Sequence, residues 1–205
     1  RSRPVSPVRG MRGLRNRRLR LVRDGCPVAL GVHAVGDAAI HTNPLYGRGC
    51  TLAFVHAWLL RDALREHGED ADACALAFHD ATERELGPWY LAAREQDRDS
   101  RRVSDAWRRG EDPDAPAAAD QPVDPRAFLR SVLRDGLLPA LRTDAVVLRA
   151  FARSFNLLSP PDALLSDPEV LQRVLKAWRE RDSRQAAQPL GPGREEMVDL
   201  LDRVA

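Results

Sequence analysis

"VGDAAIHTNPLYGRGCTLAF", Val35 to Phe54, decides how this chain is read. An apolar run ends at Gly36-Asp37, Pro44 follows seven residues after the aspartate, and Gly47 and Gly49 then open a stretch with helical periodicity. Gly36 lets the backbone turn with no side chain in the way, so a strand end can deliver the Asp37 carboxylate into a crevice. A helix begun at glycine leaves its first N–H groups open and its positive dipole end uncovered, which draws electron-rich oxygen. Together they suit a ligand that carries both hydroxyls and a delocalised negative ring edge.

Working outward, Leu19 to Arg23 reads as a short strand, Asp24-Gly25 as a turn, and Val28 to Val35 as a second, buried strand. Downstream, Leu52, Val55, Leu59 and Ala63 recur at helical spacing as far as His67-Gly68. Asp70 or Asp72 caps a following long helix with Ala73, Leu76, Ala77, Ala81 and Leu86 as its buried stripe. Pro88 kinks or restarts that helix before Trp89-Tyr90, and polar helical sequence continues to about Arg109. Gly110 to Asp124 is rich in proline and acid and reads as a loop or linker.

Three further helices are expected over about Pro125 to Leu133, Asp144 to Leu157 and Pro168 to Arg181. Asp124-Pro125 and Asp167-Pro168 place a capping acid before a first-turn proline. Gln185 to Gly193 reads as a loop and Arg194 to Val204 as an amphipathic end helix. The organisation expected is therefore 1–68, the last strands with the ligand loop and its helix; 69–109, a helical extension; 110–124, a linker; and 125–205, a C-terminal helical region.

The bulk composition sets outer bounds. Of 205 residues, 43% are hydrophobic and 30% charged, enough for a real core in a water-facing protein. Nothing approaches the ~20 consecutive apolar residues of a membrane span. Lys176 is the only lysine, so the arginine content follows a GC-rich coding bias more than a selected basic surface. Residues 1–23 nevertheless carry nine arginines and no acid, which raises a nucleic-acid arm or a targeting peptide, but with no apolar core at Arg1 to Pro7 they read as the tail of a preceding segment. Leu14, Leu19, Leu21 and Val22 interleave with those arginines in strand fashion, and no nucleic-acid recognition helix is visible. Cys26, Cys50 and Cys74 have no metal-like spacing, which points to reduced thiols and a cytoplasmic protein.

"GDAAIHTNPLYGRGCTLAFVHAWLLRDAL" resembles the second flavin-binding motif of FAD-dependent oxidoreductases of the aromatic hydroxylase and geranylgeranyl reductase type. Their pattern is an apolar strand, Gly-Asp-Ala, a proline seven residues beyond the aspartate, and a Gly-x-Gly that begins a long helix; each spacing is kept here. The resemblance implies that Asp37 accepts hydrogen bonds from the flavin ribityl chain. It also implies that Gly36, Pro44, Leu45, Gly47, Arg48 and Gly49 shape the loop whose N–H groups meet the pyrimidine edge of the ring. "AFHDATERELGPWYLAAREQDR" is similar, more weakly, to the tail of bacterial members of the same group.

The same resemblance implies an α/β enzyme with FAD as cofactor and NAD(P)H as a candidate electron donor. It would be a flavin monooxygenase or reductase acting on an organic, apolar small molecule. This stretch would supply a short strand pair followed by mostly α-helical structure, the C-terminal part of the FAD-binding fold. The GxGxxG of the N-terminal dinucleotide-binding unit has no counterpart in the sequence, so that unit is the missing partner. The competing readings are a non-catalytic helical binding or regulatory protein, an inactive truncated remnant, and a strand–loop–helix connection with incidental glycines.

No catalytic residue emerges, and no metal site. His41 reads as a loop histidine bonded to backbone or water, with a substrate-facing role as the alternative; His56 reads as a helix-packing histidine. Arg48 either stabilises reduced flavin, steers an acidic substrate, or points to solvent. Trp58, Trp89, Trp107 and Trp178 read as helix-packing anchors.

Overall fold

In the hairpin that opens the fold, Asp24 (φ 50°) and Gly25 (φ 75°) are both left-handed, the conformation that matches a tight turn to the twist of its strands. A computed structural model describes residues 6–7, 14–113, 125–184 and 193–204. The expected turn is thus present, and it joins β2 (Val22–Arg23) to β3 (Cys26–Pro27) as an antiparallel pair. Just before it, β1 (Arg17–Arg18) pairs antiparallel with β4 (Ile40–His41), with Arg17 opposite His41 and Arg18 opposite Ile40.

The second buried strand expected over Val28 to Val35 does not form. Val28, Leu30 and Val32 are exposed, Gly31 sits at φ 72°, and the run has no strand neighbour among the described residues. An apolar strand is stable only against a partner ladder, and a left-handed glycine in its middle breaks the extended repeat. The chain regains extended backbone by Val35 (φ −128°, ψ 148°), then turns through a single 3₁₀ turn, Gly36–Ala38.

Three helices follow. α1 (Gly49–His67) has the bounds its periodicity implies. α2 (Ala71–Glu85) is capped by Asp70, whose Oδ1 accepts from the Ala73 amide at 3.0 Å. α3 (Gly87–Arg108) starts with Pro88 in its first turn, so the proline restarts the helix instead of kinking it. α2 buries Cys74, Ala75, Phe78 and Thr82 rather than the expected stripe of Ala73, Leu76, Ala77 and Ala81, which are half-buried; Leu86 is buried as expected. The difference is Thr82, whose hydroxyl donates to the Phe78 carbonyl at 2.7 Å and can therefore face inward.

The described residues divide into two compact units. One lies within Arg1–Pro116 and takes in Arg153–Ala163; the other lies within Ala117–Ala152 and Leu164–Ala205. The first thus spans both the expected 1–68 and 69–109 segments, and Arg153–Ala163, expected within the C-terminal region, clusters with it. Its core joins Ile40, Leu52, Leu86 and Trp89, with Ala63, Cys74 and Phe78 as a second apolar group. Cys74 is buried and the free Cys26 and Cys50 are exposed.

In the second unit, α4 (Pro125–Ser131) widens into a π-helical stretch, Val132–Leu137, and continues as α5 (Leu138–Thr143), beyond the expected end near Leu133. α6 (Ala145–Phe155), whose last turn belongs to the first unit, the short α7 (Ala163–Ser166), which starts at that unit's last residue, α8 (Pro168–Arg179) and α9 (Arg194–Val204) complete the series. The expected Asp167 cap is present, accepting from the Glu169 amide at 2.9 Å. Val132, Leu137, Ala140, Val147, Val170 and Val174 form this unit's core. Gly136 allows the closest approach: a Cβ there would stand 2.7 Å from the Val174 carbonyl oxygen. Pro139 has no N–H to offer the Asp135 carbonyl, four residues back, and the Arg184 guanidinium donates to that oxygen.

Most of the described structure is helical, with two short antiparallel strand pairs. Trp89 is buried and Trp178 donates to Ser131 Oγ at 2.8 Å, as packing anchors should; Trp58 and Trp107 are exposed, contrary to expectation. Among the described residues no helix is long and apolar enough to cross a membrane. Residues 1–5 and 8–13 of the arginine-rich start, 114–124 of the linker with the Asp124 cap, and 185–192 of the later loop lie outside the described residues.

Candidate functional site

The site grows from Gly36. Its φ of +60° belongs to the left-handed region, and a Cβ there would stand 3.0 Å from the Ala53 Cβ of α1. Only glycine lets the turn lie this flat against the helix. The Gly36 amide donates to His56 Nδ1 at 3.2 Å, which pins the turn to α1. Asp37 is thereby carried to the beginning of that helix with its side chain 67% exposed. Its Oδ1 lies 3.9 Å from the point where a Cβ on Gly49 would be. Glycine at 49 leaves the space between carboxylate and helix start free.

The next turn, Pro44–Tyr46, is a 3₁₀ turn closed by Gly47 in the left-handed conformation (φ 64°), whose amide donates to the Pro44 carbonyl at 3.0 Å. Pro44 presets the turn, and Leu45 stands exposed at its tip. Asn43 holds the turn from the other side. Its Oδ1 accepts from the Leu45 amide at 3.2 Å, and its Nδ2 donates to Asp97 Oδ1 on α3 at 3.0 Å. Its own amide donates to Asn16 Oδ1 at 2.8 Å. The loop is thus braced on α1 at Gly36 and on α3 at Asn43.

No side chain caps α1, and Gly49 is its first residue. The 19-residue helix therefore starts without a side-chain cap, and an exposed carboxylate stands beside its first residue.

Arg48 does not point to solvent. Its guanidinium lies 5.1 Å from the centre of the Trp89 ring and 5.8 Å from that of Tyr46, half-buried. Burial pulls its pKa below the ordinary value, with Tyr46 acting weakly the other way. His41 Nδ1–H donates to the Arg15 carbonyl at 2.9 Å, the backbone bond expected of a loop histidine, and its Nε2 is 4.0 Å from Asp37 Oδ2.

Of the residues singled out in the sequence, Gly36, Asp37 and Gly49 come together, Pro44, Leu45 and Gly47 form the adjoining turn, and Arg48 turns onto Trp89. Sequence reasoning misses Asn43, Asn16, Asp97 and Thr82. The Asn43-Pro44 pair is a usable signal, since asparagine before proline favours a turn whose side chain bonds the backbone two residues on. Among the described residues no group of three or more His, Cys, Asp or Glu side chains is arranged to hold a metal ion. Comparison with protein-family models and with curated proteins gives no match for the chain.

Proposed function

We propose that the Gly36–Gly49 loop is the flavin-contacting part of an FAD-dependent oxidoreductase, a monooxygenase or reductase for an organic, apolar small molecule. The observation that supports this most is the 3.9 Å between Asp37 Oδ1 and the vacant Cβ position of Gly49, a carboxylate held beside an uncapped helix start. The residues fit the group. Asp37, an exposed carboxylate, accepts from ribityl hydroxyls. The first amides of α1, with the turn formed by Pro44, Leu45 and Gly47, meet the electron-rich edge of the ring.

FAD supplies the redox chemistry, while the protein binds, orients and tunes it. The positive end of α1 favours negative charge at the ring edge that it meets. Arg48 lies against Trp89 and Tyr46, so in this reading its cation braces the loop. The exposed Val28, Leu30 and Val32 are where this reading places the dinucleotide-binding unit, whose GxGxxG the sequence lacks.

The test is a titration of the purified chain with FAD and with riboflavin, followed by the visible absorption of the bound ring. Saturable binding that Asp37→Ala weakens supports the reading. A folded chain that leaves riboflavin free, a ligand that needs only the ribityl and ring contacts of this loop, sinks it. In that case the leading account becomes a non-catalytic helical binding protein, favoured by Phe54 and Trp58, exposed one turn apart on α1.

A further inference from the structure

We infer that neutral His56, carrying its proton on Nε2, is the positioning residue of the Gly36–Asp37 turn, and that a second proton on the ring releases the turn from α1. The consequence for cofactor retention rests on the flavin reading above; the gate itself does not.

Donor and acceptor chemistry fixes the state of the ring. A backbone amide can only donate, so Nδ1 accepts from Gly36. The Thr82 hydroxyl spends its single proton on the Phe78 carbonyl, which leaves its oxygen to accept from Nε2–H at 3.1 Å. Every link in Gly36–His56–Thr82–Phe78 therefore has one direction, and only one tautomer satisfies all of them. Protonating Nδ1 would set N–H against N–H at Gly36. The ring cannot swing away, because it is 1% exposed and stacked on Phe78 with centroids 4.8 Å apart.

The surroundings oppose a second proton. Burial is the larger effect and pulls the His56 pKa below its ordinary 6.5; the positive charge of Arg18 acts in the same direction. Arg18 reaches in from β1 and is paired with Glu83 of α2. From the loop before Gly36, His33 stands edge-on to Phe78. His79 of α2 and Arg20 line the same cleft as His56. The α1 neighbours Leu52, Ala53, Leu59 and Leu60 are apolar. Below the His56 midpoint the turn loses its amide bond to α1, and Asp37 loses its fixed place beside Gly49.

The experiment uses the full chain, labelled with ¹⁵N and free of flavin, with ring and amide spectra recorded from about pH 8 to about pH 5. The expected result is a His56 ring with its proton on Nε2 and a bare Nδ1. On acidification the Gly36 amide resonance should move with the same midpoint as His56, and its protection, taken relative to the intrinsic exchange rate at each pH, should fall at least roughly tenfold. In His56→Gln the side-chain carbonyl accepts from Gly36 without titrating, so protection persists and the pH step disappears. Should that variant not fold, Thr82→Val removes the acceptor of Nε2–H, and Gly36 exchange should quicken across the whole range.

A proton found on Nδ1 at neutral pH, or a Gly36 amide indifferent to the titration of His56, overturns the inference. Riboflavin titrated above and below the His56 midpoint separates it from the flavin reading. No binding at either pH, with the Gly36 step intact, removes the flavin reading and upholds the gate. Equal binding at both, with His56 shown to titrate, overturns the gate's link to the cofactor.

Discussion

The Cα of Gly36 is packed so closely on α1 that a methyl group there would meet the Ala53 Cβ at 3.0 Å. Gly36→Ala therefore suffers twice, from the left-handed backbone and from overpacking, at a cost of about 2–5 kcal/mol. Gly47 has nearly the same φ, +64°, but open space around its missing side chain. Gly47→Ala should cost only about 1–2 kcal/mol, the backbone share alone. Urea unfolding midpoints of the two variants check the difference; equal losses would contradict the contact.

Asp37→Asn should leave the fold as stable as the parent, because the side chain is exposed and the ring nitrogen His41 Nε2 is 4.0 Å away, beyond a hydrogen bond. Flavin affinity should nevertheless fall about 10- to 100-fold, the size expected when a charged acceptor of hydroxyl hydrogen bonds is lost. Isothermal titration beside a thermal melt separates the two effects.

Asn43 and Asp97 bridge the loop to α3 through one hydrogen bond at 3.0 Å, with Asp97 also held by Arg101. Alanine at either position, and at both, forms a double-mutant cycle whose coupling should be about 0.5–1.5 kcal/mol. Asn43→Ala should cost more than Asp97→Ala, since it also loses the bond to the Leu45 amide, whereas Asp97→Ala additionally loses only a solvent-exposed pairing with Arg101.

In the second unit the hydrogen bond from Arg173, at 2.8 Å, is the main cause holding the Asp144 carboxyl below its ordinary 3.8, helped by the amides of Val147 and Val146. A carboxyl that is more acidic folded than unfolded stabilises the fold in full above its unfolded pKa. That contribution fades as pH falls below 3.8 and through the folded value. Arg173→Met should move the acid unfolding limb to higher pH. Asp144→Asn should lose the charge-dependent part while its side-chain oxygen still caps α6. Acid titrations followed by circular dichroism read both.

Features that depend on near neighbours in sequence were legible. The Asp24-Gly25 turn, the bounds of α1, and the capping roles of Asp70 and Asp167 follow from local chemistry. The Gly-Asp turn and the glycine-opened helix start are readable from spacing alone, and the fold brings them within reach of each other. Long-range partners were hidden. Val28 to Val35 has the composition of a buried strand, but burial depends on a neighbouring ladder that composition does not encode. The π-helical widening at Val132–Leu137 lies where α8 presses on Gly136, and α8 comes much later in the chain. Arg48 has the look of a loop cation until Trp89 comes beside it from another helix.

The bond from Arg184 to the Asp135 carbonyl links positions 49 residues apart in sequence. Synthesis from the N-terminus makes Asp135 and Pro139 long before the side chain that completes them. While the chain is still growing, the helical run from Pro125 to Thr143 lacks both this donor and the α8 surface that Gly136 admits. The second unit is therefore built to close as one piece, after Arg184 has left the ribosome, and not helix by helix as each emerges.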